Sequence, residues 1–347
     1  MEREAYRRSG VDVAAGEAAV ERIRPWAEGT FTPGVLGTLG GFAAAFRPPL
    51  AGMRDPVLLA GCDGVGTKLA VAEAMDDFDS VGQDLVAMCV NDVAVAGGTP
   101  LFFLDYIAAG RLDPARVERV VASMARALRA VGAALVGGEM AEMPGFYPDG
   151  RMDLAGFCVG LCEREELLGP ERVRPGDVLL GLGASGLHSN GYSLVRRLVA
   201  EQGLDWRQQV EGVGVLGQAL LAPTRLYVAA LAAMRRTGGL RAAAHITGGG
   251  WTGNLPRVLP AGLLAHVRLG SWPVPALFER IAAWGGIGRE EMLATFNMGV
   301  GLVAVVAPEA AQAARDAAEA AGEQVWRVGE VVEGEGGVAF LADGGGG

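Results

Sequence analysis

The run Gly61-Cys-Asp63-Gly64-Val-Gly66-Thr67-Lys68 combines three glycines, an aspartate and an ammonium group. Glycines let backbone N–H groups approach an anion, a lysine supplies a point charge, and an aspartate suits a hard cation. The run is not a Walker-type phosphate loop, because Thr67 precedes Lys68 instead of following it. Lys68 is the only lysine among 30 basic residues, and asparagine occurs only at 91, 190, 254 and 297. Arginine can replace lysine on a solvated surface but not where a compact ammonium is required. Lys68 is therefore expected to work from an exposed loop, so that losing it costs turnover and little stability.

A second set of candidates is acidic. From Ser80 to Ala96 the apolar residues follow helical spacing. Asp84, Asn91 and Asp92 are expected to project from nearly one face of that helix. An aspartate near the C-terminal half of a helix opposes its dipole, and a bound Mg²⁺ would compensate it. Asp105 interrupts the apolar run LFFLDYIAA, where a carboxylate is costly unless paired or ligated. Glu139 and Glu142 follow a strand-like ALVGG. Asp63, Asp92, Asp105 and Glu139 together read as a carboxylate cluster serving hard cations on a polyphosphate.

The second half carries two more glycine-rich loops. Gly181-Leu-Gly183-Ala-Ser-Gly186 has the spacing of a dinucleotide fingerprint, but AEQGLDWRQQVEG downstream is too polar for the second strand that fingerprint needs. The alternative is an anion-binding turn. Ser185, His188, Ser189 and Asn190 precede a helix expected from Tyr192 to Val199 and would surround its positive end. His245, Thr247, Gly248, Gly249 and Gly250 form another such approach to a helix, which could seat an anion or a polar ligand. His266 lies in a plain strand and reads as structural, and Asn297 could be no more than a turn residue.

These loops must be held by two domains. The chain has 347 residues, half of them hydrophobic, with mean hydropathy +0.27, which is ample for two cores. Pro and Gly punctuation places the boundary near Gly169, giving domains 1–169 and 170–347. Val57 to Ala60 reads as a buried strand, and Asp113-Pro114 as the cap and first residue of a helix running to about Ala130. The second half mixes strands at Val178–Leu182, Leu263–Leu269, Val300–Val306 and Val325–Val331 with helices at Pro223–Arg236 and Pro308–Ala321. The GEGG at 334–337 and the terminal GGGG are expected to be disordered.

A net charge of −10 disfavours nucleic acid and anionic membranes as partners. No apolar run approaches membrane-spanning length, and the charged start lacks a secretory core. Cys158 and Cys162 sit in an apolar run and read as buried thiols. A cytoplasmic protein is expected.

Read in order, the motifs resemble the aminoimidazole ribonucleotide (AIR) synthetase family, the phosphoribosylformylglycinamidine cyclo-ligases. The resemblance runs from Tyr6 to about Val331. It includes LGGF, DGVGTKL, GQDLVAMCVND, PLFFLDY, LVGGEMAEMPG, SGLHSNGYSLVR, HITGGG, NLPRVLP and TFNMGVG. The superfamily's ATP signature Asp-x4-Gly-Ala-x-Pro appears as Asp92 to Pro100, with Gly98 in place of alanine. Leu187 stands where proline is usual, and Met298 where cysteine is frequent.

The resemblance implies a two-domain α+β protein: an N-terminal mixed sheet that forms a barrel in a homodimer, and a C-terminal α/β domain. It also implies ATP-dependent cyclisation of formylglycinamidine ribonucleotide (FGAM) to AIR, releasing ADP and phosphate through a phosphorylated amide. On that reading Asp63, Gly64, Gly66, Thr67, Lys68, Asp92, Gly97 and Glu139 bind ATP, with Mg²⁺ on Asp63, Asp92 and Asp105. Ser185, His188, Ser189, Asn190, Thr247, Gly248 and Gly249 bind substrate, and Lys68, His188 and His245 assist the chemistry. Thiamine-phosphate kinases, selenophosphate synthetases and a hydrogenase-maturation enzyme share the ATP signature, and would differ in the C-terminal loops.

Overall fold

The computed structural model describes Tyr6 and residues 8–342. The terminal GGGG lies outside the described residues. The chain divides into two units, Met1–Val93 with Pro100–Arg164, and Ala94–Thr99 with Glu165–Gly347. The expected boundary near Gly169 falls slightly later than this division and misses Ala94–Thr99. That stretch joins the second unit because the Leu168 N–H donates to the Ala96 carbonyl at 3.1 Å.

The first unit contains α1 (Val13–Glu28), a hairpin of β1 (Val35–Leu36) and β2 (Ala45–Phe46), and β3 (Pro56–Gly64). A 3-10 turn (Gly66–Lys68), α2 (Leu69–Met75), α3 (Val81–Val95) and β4 (Thr99–Ala109) follow, then α4 (Pro114–Val131), β5 (Ala134–Glu142) and β6 (Met152–Glu163). The sheet runs β3-β6-β4-β5 and is mixed: β3 and β6 are antiparallel, β4 and β5 parallel. Helix α4 begins as its sequence dictates. The Asp113 carboxylate accepts the N–H groups of Ala115 and Arg116 at 3.0 and 3.3 Å, and Pro114 fills the first turn. Gly82 lets α3 press on α4, since a Cβ there would lie 2.2 Å from the Val120 carbonyl oxygen.

Strand β3 is not the buried strand expected. It is an edge strand covered on one face only, where Gly61 packs against the Cys89 carbonyl of α3. Leu58 points to the other face and is exposed, as period-2 geometry requires. Cys158 and Cys162 are buried in β6.

The second unit is built on β7 (Val178–Gly183), a small hairpin of β8 (Gln209–Val210) and β9 (Gly214–Val215), and β10 (Leu240–His245). The strands β11 (Leu263–Arg268), β12 (Val300–Val306), β13 (Val325–Glu333) and β14 (Val338–Leu341) complete it. Its six-stranded sheet has the order β10-β12-β7-β13-β11-β14, and only β11 and β14 pair in parallel. The expected α/β pattern is therefore corrected to α+β, because neighbouring strands are mostly antiparallel and no βαβ unit follows β7.

The helix expected from Pro223 starts only at Val228. The GEGG at 334–337 is the ordered turn between β13 and β14, not a disordered tail. One core of this unit gathers Leu179, Ala265, Val303 and Val331 around Trp251, whose ring stacks on Trp272 at 5.0 Å. Among the described residues no helix is long and apolar enough to cross a membrane.

Candidate functional site

Strand β3 ends at Asp63-Gly64, where Asp63 Oδ1 accepts the Gly64 N–H at 2.7 Å. Gly66 has φ +66° with open space where a Cβ would stand, and Thr67 is exposed. The backbone of this loop is thus accessible to an anion.

Lys68 turns inward, which overturns the expectation of an exposed loop lysine. Its Nζ lies 2.9 and 2.8 Å from Asp84 Oδ1 and Oδ2, and both side chains are fully buried. Burial lowers the Lys68 pKa, and the Asp84 carboxylate opposes that shift. A compact ammonium fits between two carboxylate oxygens in a closed space, which accounts for lysine here where the chain otherwise uses arginine.

Asp84, Asn91 and Asp92 do not share a face. Seven residues return Asn91 to within about 20° of Asp84, and one more adds about 100°. Asp84 and Asn91 are accordingly buried and Asp92 is exposed. A Cβ on Gly61 would lie 3.7 Å from Asp92 Cβ, so Asp92 stands beside β3 on the strand face that also carries Asp63. Among the described residues no three His, Cys, Asp or Glu side chains gather to hold a metal ion. Asp63, Asp92 and Asp105 form no ready-made cage, and the expected four-carboxylate cluster with Glu139 is not assembled.

Asp105 belongs to a different feature. A cavity of about 850 Å³ is lined by α1, the tip of the β1–β2 hairpin, and residues of α4, β4 and β5. Asp105 on β4 is paired in register with Gly138 on β5, and a Cβ on Gly138 would lie 1.9 Å from Asp105 Oδ1. Glycine at 138 is what lets this carboxyl lean across the neighbouring strand. Burial pushes the Asp105 pKa up to about 7, opposed by a hydrogen bond from its own backbone N–H.

Glu139 also lines the cavity and is exposed. Glu142 serves structure instead: it accepts the Asp12 N–H at the start of α1 and the Leu112 N–H at 2.9 Å. At the hairpin tip Gly37 and Gly40 have positive φ and open surroundings, and Arg24 Nη1 donates to the Leu39 carbonyl at 2.9 Å. Sequence reasoning missed the contributions of Glu17, Glu21 and Arg24 to this cavity. The signal for the hairpin tip was the Gly37-Thr-Leu-Gly40-Gly-Phe run.

In the second unit the two predicted loops meet. A Cβ on Gly248 would lie 3.1 Å from Asn190 Oδ1. Ser185, Gly248 and Gly249 are exposed, and Ser189, Asn190 and Thr247 are partly so. Ser189 Oγ lies 3.2 Å from Thr224 Oγ1. His188 is buried with φ +59°, and its Nε2 accepts the Ser185 N–H at 3.3 Å. His245 is buried in β10. Both rings flank Tyr227, at 6.2 and 6.3 Å, and Tyr227 Oη donates to the Gly183 carbonyl at 2.7 Å. The histidines expected to assist proton transfer thus lie beneath the loops.

Two asparagines hold the loops. Asn254 Nδ2 donates to the carbonyls of Thr247, Gly248 and Gly250 at 3.3, 3.1 and 2.8 Å. Asn297 Nδ2 donates to the Gly186 carbonyl at 2.9 Å, and its Oδ1 accepts the Gly299 N–H at 2.9 Å. Gly97 also serves packing, since a Cβ there would lie 2.6 Å from the Glu166 carbonyl oxygen.

Residues 43–162 match the N-terminal domain of AIR synthase related proteins, and residues 174–342 match their C-terminal domain. The fold and its loops are those of a two-domain AIR-synthase-type protein. The sequence is 50% identical over 337 residues to the phosphoribosylformylglycinamidine cyclo-ligase of Thermosynechococcus vestitus, covering 97% of this chain and 98% of that one. The chain belongs to the phosphoribosylformylglycinamidine cyclo-ligase family.

Among solved structures it resembles thiamine-monophosphate kinase from Stenotrophomonas maltophilia (TM-score 0.69, 20% identity, 94% and 96% of the two chains). It also resembles E. coli HypE, a hydrogenase maturation protein (TM-score 0.67, 19% identity, 95% of each chain). At that identity the likeness shows a shared fold.

Proposed function

We propose that this chain closes the imidazole ring of FGAM, consuming ATP and yielding AIR, ADP and phosphate in purine biosynthesis. The observation that carries this reading is the 50% identity to a cyclo-ligase across nearly the full length of both chains. ATP as co-substrate is further supported by a HypE structure of similar fold solved with ATP.

An amide oxygen is a poor leaving group. Transfer of the γ-phosphoryl group to it gives an iminophosphate, and attack by the neighbouring amidine nitrogen then expels phosphate and closes the ring. Such a transfer asks the protein for positioning and charge neutralisation more than for covalent chemistry.

The first unit is assigned to the nucleotide. The Gly64–Thr67 backbone offers N–H groups to phosphate oxygens, and the Lys68–Asp84 pair beneath holds that turn on α3. Mg²⁺ keeps several waters and usually takes only one or two carboxylates plus phosphate oxygens. Asp63 and exposed Asp92, on one side of β3, fit that demand and would hold the ion, which would neutralise phosphate charge.

The cavity walls carry Glu17, Glu21, Asp105 and Glu139 against Arg24. That balance repels a polyphosphate and suits the base and ribose. In the second unit Ser185, Ser189, Asn190, Thr247, Gly248 and Gly249 are assigned to the ribose phosphate and amide of FGAM. His188 and His245 support those loops from below.

The open face of the first-unit sheet bears Leu58, Tyr106 and Phe157 at 65%, 38% and 39% exposure. A second copy covering this face would form the homodimeric barrel. The central test is a coupled assay. ADP release that requires FGAM supports the ligase, whereas nucleotide binding without FGAM-dependent ADP release would overturn it.

A further inference from the structure

We propose that Arg257, in the NLPRVLP run, binds the ribose phosphate of FGAM, with Thr247 and Asn190 as neutral donors beside it. This rests on placing FGAM at the second-unit loops, and it goes beyond that reading by naming the cation that recognises the phosphate. Arg257 is exposed. Its Nη1 donates to Asn254 Oδ1 at 3.3 Å, the same oxygen that accepts from Thr247 Oγ1 at 3.3 Å. Asn254 also holds the Gly248 carbonyl at 3.1 Å, so the guanidinium is anchored at the 247–250 loop itself. Asn190 reaches the same point from the other loop, with its Oδ1 3.1 Å from where a Cβ on Gly248 would stand. Its Nδ2 is withdrawn from water and has no acceptor among the described residues, which is unusual for a shielded amide donor. Asn190 is partly exposed as a whole, and a turn of its side chain presents that donor to a ligand at the junction.

The distribution of charge points to an anion. The chain carries a net charge of −10, yet no aspartate or glutamate occurs from Val178 to Ala200 or from Gly212 to Phe278. Both loops and Arg257 fall within those stretches. Arg225 adjoins the loops too, next to Thr224, but its Nε pairs with Glu323 at 2.9 Å and its Nη2 donates to the Gly322 carbonyl at 3.0 Å. Arg257 has no carboxylate partner among the described residues, so its charge is left for a ligand. A guanidinium offers parallel N–H groups that match two phosphate oxygens. The amidine end of FGAM is a base and becomes a cation, which Arg257 would repel. The phosphate is therefore the end that faces it.

The test uses the full chain with saturating ATP. It reads KM for FGAM, and the inhibition constant of the dephosphorylated FGAM nucleoside as a competitor. Arg257→Ala should raise KM for FGAM by roughly 10- to 150-fold, the value of hydrogen bonds to a charged group. The nucleoside's inhibition constant and KM for ATP should not move. Arg257→Gln keeps a donor toward Asn254 without the charge and should show a comparable loss, whereas Arg257→Lys should recover part of it. The glutamine variant also carries the measurement should the alanine variant fail to fold.

An unchanged KM for FGAM in the alanine or glutamine variant would overturn the role of Arg257. So would equal losses for FGAM and the nucleoside, which would mark a structural effect on the loop. Either result, with FGAM-dependent ADP release by the wild type, removes Arg257 and leaves the ligase reading standing. A wild type without FGAM-dependent ADP release removes that reading and the proposal with it.

Discussion

The ammonium of Lys68 sits within 2.9 Å of both carboxylate oxygens of Asp84, and neither side chain reaches solvent. This pair joins the turn after β3 to the first turn of α3. The turn is therefore held from within, leaving its outer backbone to a ligand.

Breaking that pair should cost stability. Removing one partner of a buried ion pair leaves an uncompensated charge, at roughly 3–5 kcal/mol. Lys68→Ala is expected to lower denaturant-unfolding stability by about that amount, and adding Asp84→Leu should recover part of it. A Lys68→Ala protein as stable as wild type would show that the pair does not bear on folding.

Asp105 gives stability a pH dependence with a definite sign. Its pKa in the folded chain, about 7, lies above the ordinary 3.8, so the fold binds a proton that the unfolded chain has lost. The stabilisation is fully present below about pH 4 and is lost as pH rises to about 7. The melting temperature of Asp105→Asn, which carries no charge at either pH, should rise relative to wild type between pH 5 and pH 8. A constant difference across that range would show that the carboxyl titrates as an exposed group.

The second-unit loops should depend on Asn254. Replacing it by alanine leaves the Thr247, Gly248 and Gly250 carbonyls without their side-chain donor, at about 1–3 kcal/mol for unsatisfied groups. KM for FGAM is expected to rise about tenfold or more in Asn254→Ala, with KM for ATP little changed. Equal rises for both substrates would detach this loop from the FGAM end of the reaction.

How far this was legible depends on what each residue type signals. Asp113-Pro114 marked a helix start, and the backbone there does what the pair demands, because capping is local chemistry. The scarcity of lysine drew attention to Lys68 yet suggested a ligand contact from an exposed loop, while Asn297 read as no more than a turn residue. The structure shows a buried ion pair and two amides that tie loops through the backbone. Residue type alone does not tell an inward group from an outward one. The 850 Å³ cavity was invisible because α1, the hairpin tip and β5 are distant in sequence. Strand β3 was misread because an apolar run does not distinguish a buried strand from one covered on a single face.

The exposed face of that sheet predicts association. Leu58→Glu would place a charge in a covered apolar surface, and sedimentation should show dimers giving way to monomers. A Leu58→Glu protein that stays dimeric would move the interface elsewhere.

The central claim is that the first unit takes the nucleotide. The most direct measurement is a crystal structure with Mg²⁺ and a nonhydrolysable ATP analogue. The account predicts the nucleoside in the first-unit cavity and the phosphates along Gly64–Thr67, with the ion on Asp63 and Asp92. Nucleotide density at any other place, with this cavity and loop empty, would contradict it.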